Sequence, residues 1–398
     1  AFAIGPSVVW VALGSFSGMI VAWWWIAPRL LEASHQHQLT TFIDYLCDPS
    51  DNHRSESLVR SAAVIILVAF VFYVAAQFQG AGLAVTEVFA VSDALAIVCG
   101  ALVILIYTWL GGYWAVSLTD TIQGVVMCLA AIALPLGTVI SLGGLGPVVE
   151  LIDLGSRRGA DTNAATLSVI GFVIGSLAIS LGTFGQPHLM VRFMALKDHR
   201  ARRSAASITL IWYLIVFSGM VLTGLVGRGA FDSLNNNEQV FFALSDQVLP
   251  PVLAGLLLAA VLSAIMSTAD SQLLVCASTL SHDLTDEALK GSPRVLRRGR
   301  WAVVIVVVLA VLVALFLPAP IFSRVLFAWG ALGAALGPTL FARLLGWQVP
   351  DCYRVTGIWM GFGLTAVLSL LPNAPGDILE RLLPFMGHSL LLIWVRRR

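Results

Sequence analysis

Charge is scarce in this 398-residue chain: Asp, Glu, Lys and Arg together make up 11% of it, and the formal net charge is +1. Basic residues fall in short loops rather than in a patch with aromatics, which sets nucleic acid aside as a partner. Cysteine is scarce too. Cys47, Cys99, Cys128, Cys276 and Cys352 are odd in number and lack metal-type spacing, so they imply neither a disulfide framework nor zinc. No Walker loop, G-x-S-x-G or H-E-x-x-H motif occurs. That argues against an ATP-driven pump and an intramembrane metalloprotease, and the chain is read as an ion-coupled carrier and not an enzyme. The first apolar run has no basic n-region and no A-x-A site, so it does not read as a signal peptide. No low-complexity linker divides the chain, which reads as one transmembrane domain over 1–398.

What abounds is apolar surface, with 58% hydrophobic residues. Such a composition belongs to an integral membrane protein. The apolar runs have the length of membrane-crossing helices, not the alternating segments of about ten residues that a barrel shows. They fall at 5–27, 61–86, 91–110, 114–142, 165–190, 205–227, 249–280, 301–319, 322–346, 355–372 and 379–395, which gives an all-α bundle of about eleven spans. Of the 23 Lys and Arg, 18 lie after the first, third, fifth, seventh and ninth spans or at the C-terminus. By the positive-inside rule these are cytoplasmic, with residue 1 outside and the C-terminus inside. Basic runs such as Leu196 to Arg203 and Arg294 to Arg300 then read as topology determinants. The stretch from Gly143 to Asn163 reads as an external loop. Trp23, Trp24 and Trp25 read as headgroup-level anchors.

Polar groups inside the apolar runs need a reason. In the stretch from Ala259 to Leu284, Ala264, Ser267, Thr268 and Ser271 fall at i, i+3, i+4 and i+7, which places them on one helix face. Asp270 borders that face. A carboxylate at membrane depth costs about 2.5 kcal/mol or more unless it meets water, a proton or a cation. Small residues and oxygens together suggest a hard-cation site. Two plainer readings stand beside it: hydroxyls bonded back to i−4 carbonyls in a small-residue packing face, and an Asp that is protonated or lies beyond the hydrocarbon.

Three further stretches carry signals. In YTWLGGYWAVSLTDTIQ, Gly111 and Gly112 allow a tight turn between antiparallel spans. Asp120 and Gln123, spaced i and i+3, can then point at one neighbour, or Asp120 can sit wetted near a helix N-terminus. The fifth span gathers Gly175, Gly182, Gly185 and Pro187. Such clusters mark either a broken helix, of the kind that binds solute in many secondary transporters, or a proline kink. His188 beside them reads as a helix-end or loop hydrogen-bonder. In the ninth span, Gly330, Gly333 and Gly337 give a smooth surface for close helix packing.

Four of these stretches, GGYWAVSLTDTIQ, FGQPHLMVRFMA, AIMSTADSQLLVCAS and FAWGALGAALGP, occur in an order and at intervals that resemble the sodium/solute symporter family, in its sodium/proline branch. The resemblance implies a bundle like that of the leucine transporter, with two inverted five-helix repeats and extra peripheral helices. Residues 1–142 would be a partial first repeat lacking its first core helix, 165–346 the second repeat, and 355–395 peripheral. It implies Na+ as the coupling ion, held by the Ala264 carbonyl and the Ser267 and Thr268 hydroxyls. A conditional second sodium site would use Asp120, Asp270 and Ser271. It implies substrate contacts at Tyr107, Ile179, Thr183 and Phe184, although Ile179 and Thr183 stand where proline carriers have aromatics, so the solute is an amino acid or organic acid of unspecified identity. The partners are then the solute, sodium and the lipid bilayer of a bacterial inner membrane, with oligomeric state left open. Alternative readings are a transporter-like sensory module and a truncated, inactive homologue.

Overall fold

The computed structural model describes residues 1–47, 55–86, 89, 91–157, 166–234, 236–285, 293–317, 319–371 and 377–396. Every regular element among them is a helix. The chain begins with α1 (Gly5–His37), which contains a π turn at Ala22–Ile26. The tryptophans sit on that turn. Trp24 is exposed as an anchor should be, but Trp23 is buried against Phe193 and Trp25 stacks on Phe341. Two of the three therefore face protein, because the π turn rotates the face of α1 that meets its neighbours. A five-residue helix, α2 (Phe42–Leu46), follows and is started by a capping box of Thr41 and Asp44. Then comes α3 (Glu56–Thr86).

The next helix, α4 (Asp93–Ser141), runs for 49 residues, but Gly112 inside it has φ 63° and ψ −171°. That positive-φ conformation suits glycine and ends a helix. At 1.5 Å per residue, Tyr107 and Asp120 would lie about 20 Å apart on a straight rod. Instead Tyr107 bonds Asp270 and Asp120 approaches Ser271, adjacent residues of one helix. The chain has folded back at the Gly111–Gly112 pair, so 91–110 and 114–142 are separate spans.

After it, α5 (Leu145–Arg157) occupies most of the stretch read as an external loop. The expectation of a loop fails up to residue 157, and 158–163 lie outside the described residues. Gly143 and Gly144 do form a turn, both at positive φ, and Leu145-Gly146-Pro147 already opens the helix. The helix after that turn is amphipathic enough to pack along the helix that ends at Ala230, Gly155 lying against the backbone of Gly229. The fifth apolar run is broken, as α6 (Thr166–Thr183) and α7 (Pro187–Met194), with a 49° bend between them. The remaining helices are α8 (His199–Ala230), α9 (Val240–Val248), α10 (Pro251–Asp283), α11 (Pro293–Phe316), α12 (Ile321–Leu344), α13 (Asp351–Leu368) and α14 (Ile378–Val395).

Among the described residues, eight helices are long and apolar enough to cross a membrane, nine with the bent pair counted as one span. The fold-back in α4 and the 18-residue α13 make up the difference from eleven. In α3 and α12, 67% of the apolar stretch is buried, against 11% in α8. The first two are the centre of the bundle and α8 lies at its edge, where exposed Ile208, Ile211 and Leu214 suit lipid. The basic segments gather at one end of the bundle. There Arg354 bonds the Leu46 carbonyl, Arg202 bonds the Trp23 carbonyl, His35 meets the Leu196 carbonyl, and His282 pairs with Asp44. Arg228 marks the opposite end, bonded to the carbonyls of Gly155 and Phe2.

Candidate functional site

The middle of α10 carries two adjacent sets of oxygens. In the first, Ser267 Oγ and Thr268 Oγ1 both donate to the Ala264 carbonyl, at 3.1 and 2.9 Å. Their helical spacing dictates this: a hydroxyl three or four residues on reaches back to the turn below. The three oxygens converge on one spot of the α10 surface, and both hydroxyl side chains are half-buried. A cation placed there would replace the hydroxyl hydrogens as partner of the same three oxygens.

The second set lies one turn further on and draws on three helices. Asp270 is fully buried. It accepts from Tyr107 Oη at 3.0 Å and from Ser271 Oγ at 3.3 Å. Tyr107 Oη is also 3.1 Å from the Met266 carbonyl. Asp120 approaches Ser271 Oγ at 3.5 Å through Oδ2. The structure thus brings Asp120, Asp270, Ser271 and Tyr107 together. It also brings Arg192 from α7, whose Nη2 pairs with Asp120 Oδ2 and donates to Ser271 Oγ at 2.6 Å.

The charge pattern of the sequence counts Arg192 only among the basic residues near a loop. The structure puts it in the last turn of α7, where the helix dipole favours a cation. One signal could have found it: an arginine five residues past the proline of a broken helix is still close to the apolar core.

At the break itself, Ile179, Thr183 and Phe184 are all buried. The backbone at the break is not left open: a tightened turn bonds the amides of Phe184, Gly185 and Gln186 to the Leu181, Gly182 and Thr183 carbonyls, Gln186 Nε2 also donates to Gly182 O at 2.9 Å, and Trp329 Nε1 donates to Ile179 O at 3.1 Å. Gly182 and Gly185 are required here, since a Cβ on either would run into Trp329 or the Leu332 carbonyl of α12. Nothing in the sequence pattern singles out Trp329. It brings an aromatic to the break from a different helix, next to the two positions where this chain has Ile179 and Thr183. Thr183 faces Gly18 of α1, while Phe184 packs edge-on to Phe341. The Tyr107 hydroxyl sends its bonds to α10.

His188, the second residue of α7, packs edge-on against Phe70 and Tyr73, and its Nδ1 has no hydrogen-bond partner among the described residues. It is at a helix end as expected, but it works as an aromatic packing group. Two cavities flank the site. One of about 1370 Å³ is lined by Gln79, Ile179, Glu238 and Phe322, among others. Another of about 450 Å³ is lined by Thr40, His188, Arg192, Ser271, Ser281 and Arg300, among others.

A helix broken at glycine between two cavities, with oxygens gathered on the helix beside it, is the architecture of a secondary carrier. Comparison with known proteins makes the class specific. The chain belongs to the sodium:solute symporter family, whose model matches residues 1–347. It is 32% identical over 397 residues to the osmoregulated proline transporter OpuE of Bacillus subtilis (strain 168), covering 95% of this chain and 80% of that one. It is 30% identical over 395 residues to the sodium/proline symporter of Escherichia coli (strain K12), covering 94% and 78%. Among solved structures, a Na+-coupled sialic acid symporter in a substrate-bound outward-open state matches with a TM-score of 0.71 at 16% identity, over 98% of this chain and 84% of that one. The fold is therefore the leucine-transporter-like inverted-repeat bundle. The protein is a multi-pass membrane carrier performing sodium-coupled solute symport, and not an enzyme.

Proposed function

We propose that this protein carries a small amino acid into the cell together with sodium, across a bacterial inner membrane, by alternating access. The observation that carries the reading is the convergence of the Ala264 carbonyl with the Ser267 and Thr268 hydroxyls on α10. Three neutral oxygens suit a monovalent hard cation, and hydroxyls bonded only to their own helix exchange that bond for an ion at little cost. A membrane potential of roughly 100 mV supplies about 2.3 kcal/mol for each charge moved inward, enough for appreciable accumulation with one sodium. The end of the bundle where the basic segments meet is cytoplasmic by the positive-inside rule. The C-terminus is then inside, and the cavity beside Arg192 opens toward the cytoplasm.

The solute contacts proposed are Tyr107 and, at the break, Ile179, Thr183 and Phe184. The relatives' names make proline the first solute to test. With Ile179 and Thr183 where proline carriers have aromatics, the ring is less closely held, and other small amino acids compete with it. Residues 1–142 act as part of the first repeat, 165–346 as the second, and 355–395 as peripheral helices.

The test is uptake of labelled proline and a panel of competitors into proteoliposomes, with and without an inward sodium gradient. Gradient-dependent uptake that is lost in the Ser267→Ala, Thr268→Ala double variant is expected. Equal uptake by that variant at low sodium would sink the assignment of these oxygens to sodium.

A further inference from the structure

The second sodium site implied by the family resemblance does not fit the side chains found there. Its oxygens would be those of Asp120, Asp270 and Ser271, and a cation already lies among them. Arg192 Nη2 is paired with Asp120 Oδ2 and stands 2.6 Å from Ser271 Oγ. Ser271 Oγ also lies 3.3 Å from Asp270 Oδ1 and 3.0 Å from the Ser267 carbonyl. A sodium ion would need the same carboxylate and the same Ser271 Oγ at contact distance. It would then face the guanidinium at about 4 Å, where like charges repel strongly in a partly buried setting.

We propose that Arg192 is a tethered cation that stands in for a second sodium ion, so that this protein couples its solute to a single sodium. The backbone makes the substitution feasible. The 49° bend after Thr183 sets α7 across the bundle, and Arg192 follows His188 by one turn, so both side chains line the 450 Å³ cavity. From that wall the guanidinium reaches inward to α4 and α10, with 41% of its side chain still exposed and Asp120 only 10% exposed. An ion bridging Asp120 to Ser271 would tie α4 to α10 only while sodium is bound. Arg192 makes that tie at any sodium concentration. Asp120 Oδ1 has no hydrogen-bond partner among the described residues. Once the guanidinium is removed, both carboxylate oxygens and the Ser271 hydroxyl become available to an ion.

The single-sodium clause rests on the proposed role of Ser267 and Thr268, so the experiment separates the two readings. Equilibrium binding of radiolabelled sodium is measured on the purified protein, on Arg192→Gln and on Arg192→Gln combined with Asp120→Asn. Arg192→Gln is expected to bind about one more sodium per chain than the unaltered protein, and sodium activation of its uptake to steepen toward a Hill coefficient of about two. Adding Asp120→Asn removes the extra ion. Equal binding by Arg192→Gln and the unaltered protein overturns the proposal, whatever their common value. Asp120→Asn alone covers the case in which Arg192→Gln does not fold. It is expected to leave the sodium count unchanged, and a count lower by one overturns the proposal. Loss of the first ion in Ser267→Ala, Thr268→Ala bears only on the other reading.

Discussion

On α10, the triad of Ala264, Ser267 and Thr268 and the cluster around Asp270 and Ser271 lie one turn apart, yet their bonds go to different places. The triad is neutral and closed on itself, its two hydroxyls bonding back along their own helix. The cluster is charged and open to its surroundings, with bonds to Tyr107 and Asp120 of α4 and Arg192 of α7. Local bonds between hydroxyl and carbonyl cost little to exchange, which is what a transient ion requires. Bonds that join three helices through two carboxylates and a guanidinium are costly to break, and they suit a permanent fastening. The more strongly charged of two neighbouring oxygen sets need not be the ion site. A charge in a membrane demands a partner, and the protein supplies one.

Variants can break that contrast. The largest expected effect is on activity: removing both triad hydroxyls, Ser267→Ala with Thr268→Ala, lowers sodium affinity by about 100-fold or more, while thermal stability changes little because the lost bonds were local. Sodium titration of uptake, with a melting curve on the same sample, checks both halves. Asp120→Asn does the reverse. It leaves Arg192 without its carboxylate and costs about 2 kcal/mol of stability, read as a lower melting temperature with no sodium site lost.

Tyr107→Phe probes the centre of the cluster. It removes one donor to Asp270 Oδ2, so a loss of about 1 kcal/mol is expected, smaller than for Asp120→Asn. A larger loss than for Asp120→Asn would show that Asp270, not Arg192, holds the cluster together. The smallest effect belongs to a control distant from both regions. Asp198 caps α8 by accepting from the Ala201 amide at 2.7 Å, and that bond holds its carboxyl below the usual carboxylate range. A lowered folded-state value means the contribution is present above about pH 4 and is lost as pH falls through the folded value. Asp198→Ala should therefore lower the melting temperature slightly at neutral pH and by less in acid, with sodium binding unchanged.

Much of this arrangement is legible in the chain itself. Helical spacing alone puts Ala264, Ser267 and Thr268 on one face. The glycines and Pro187 predict the break that the structure places between Thr183 and Pro187, and Gly111 and Gly112 predict the turn in α4. These are local properties: a hydroxyl finds the carbonyl below it, and a backbone without a Cβ bends, whatever surrounds them. Gly333 likewise reads as a close-packing position, and it does lie against Gly182.

The partners of buried charge and of the backbone near the break were not legible, because they arrive from far along the chain. Arg192 is 72 residues from Asp120 and Trp329 is 150 from Ile179. Neither spacing nor composition records which way a bent helix points. Composition and periodicity suffice to specify a bundle of apolar helices with a broken one and an oxygen face. Which oxygens stay neutral and locally bonded, and which are already engaged by a guanidinium, is settled only when the helices pack. Electrostatic pairing in a low-dielectric interior is fixed by the final positions of side chains and not by their order.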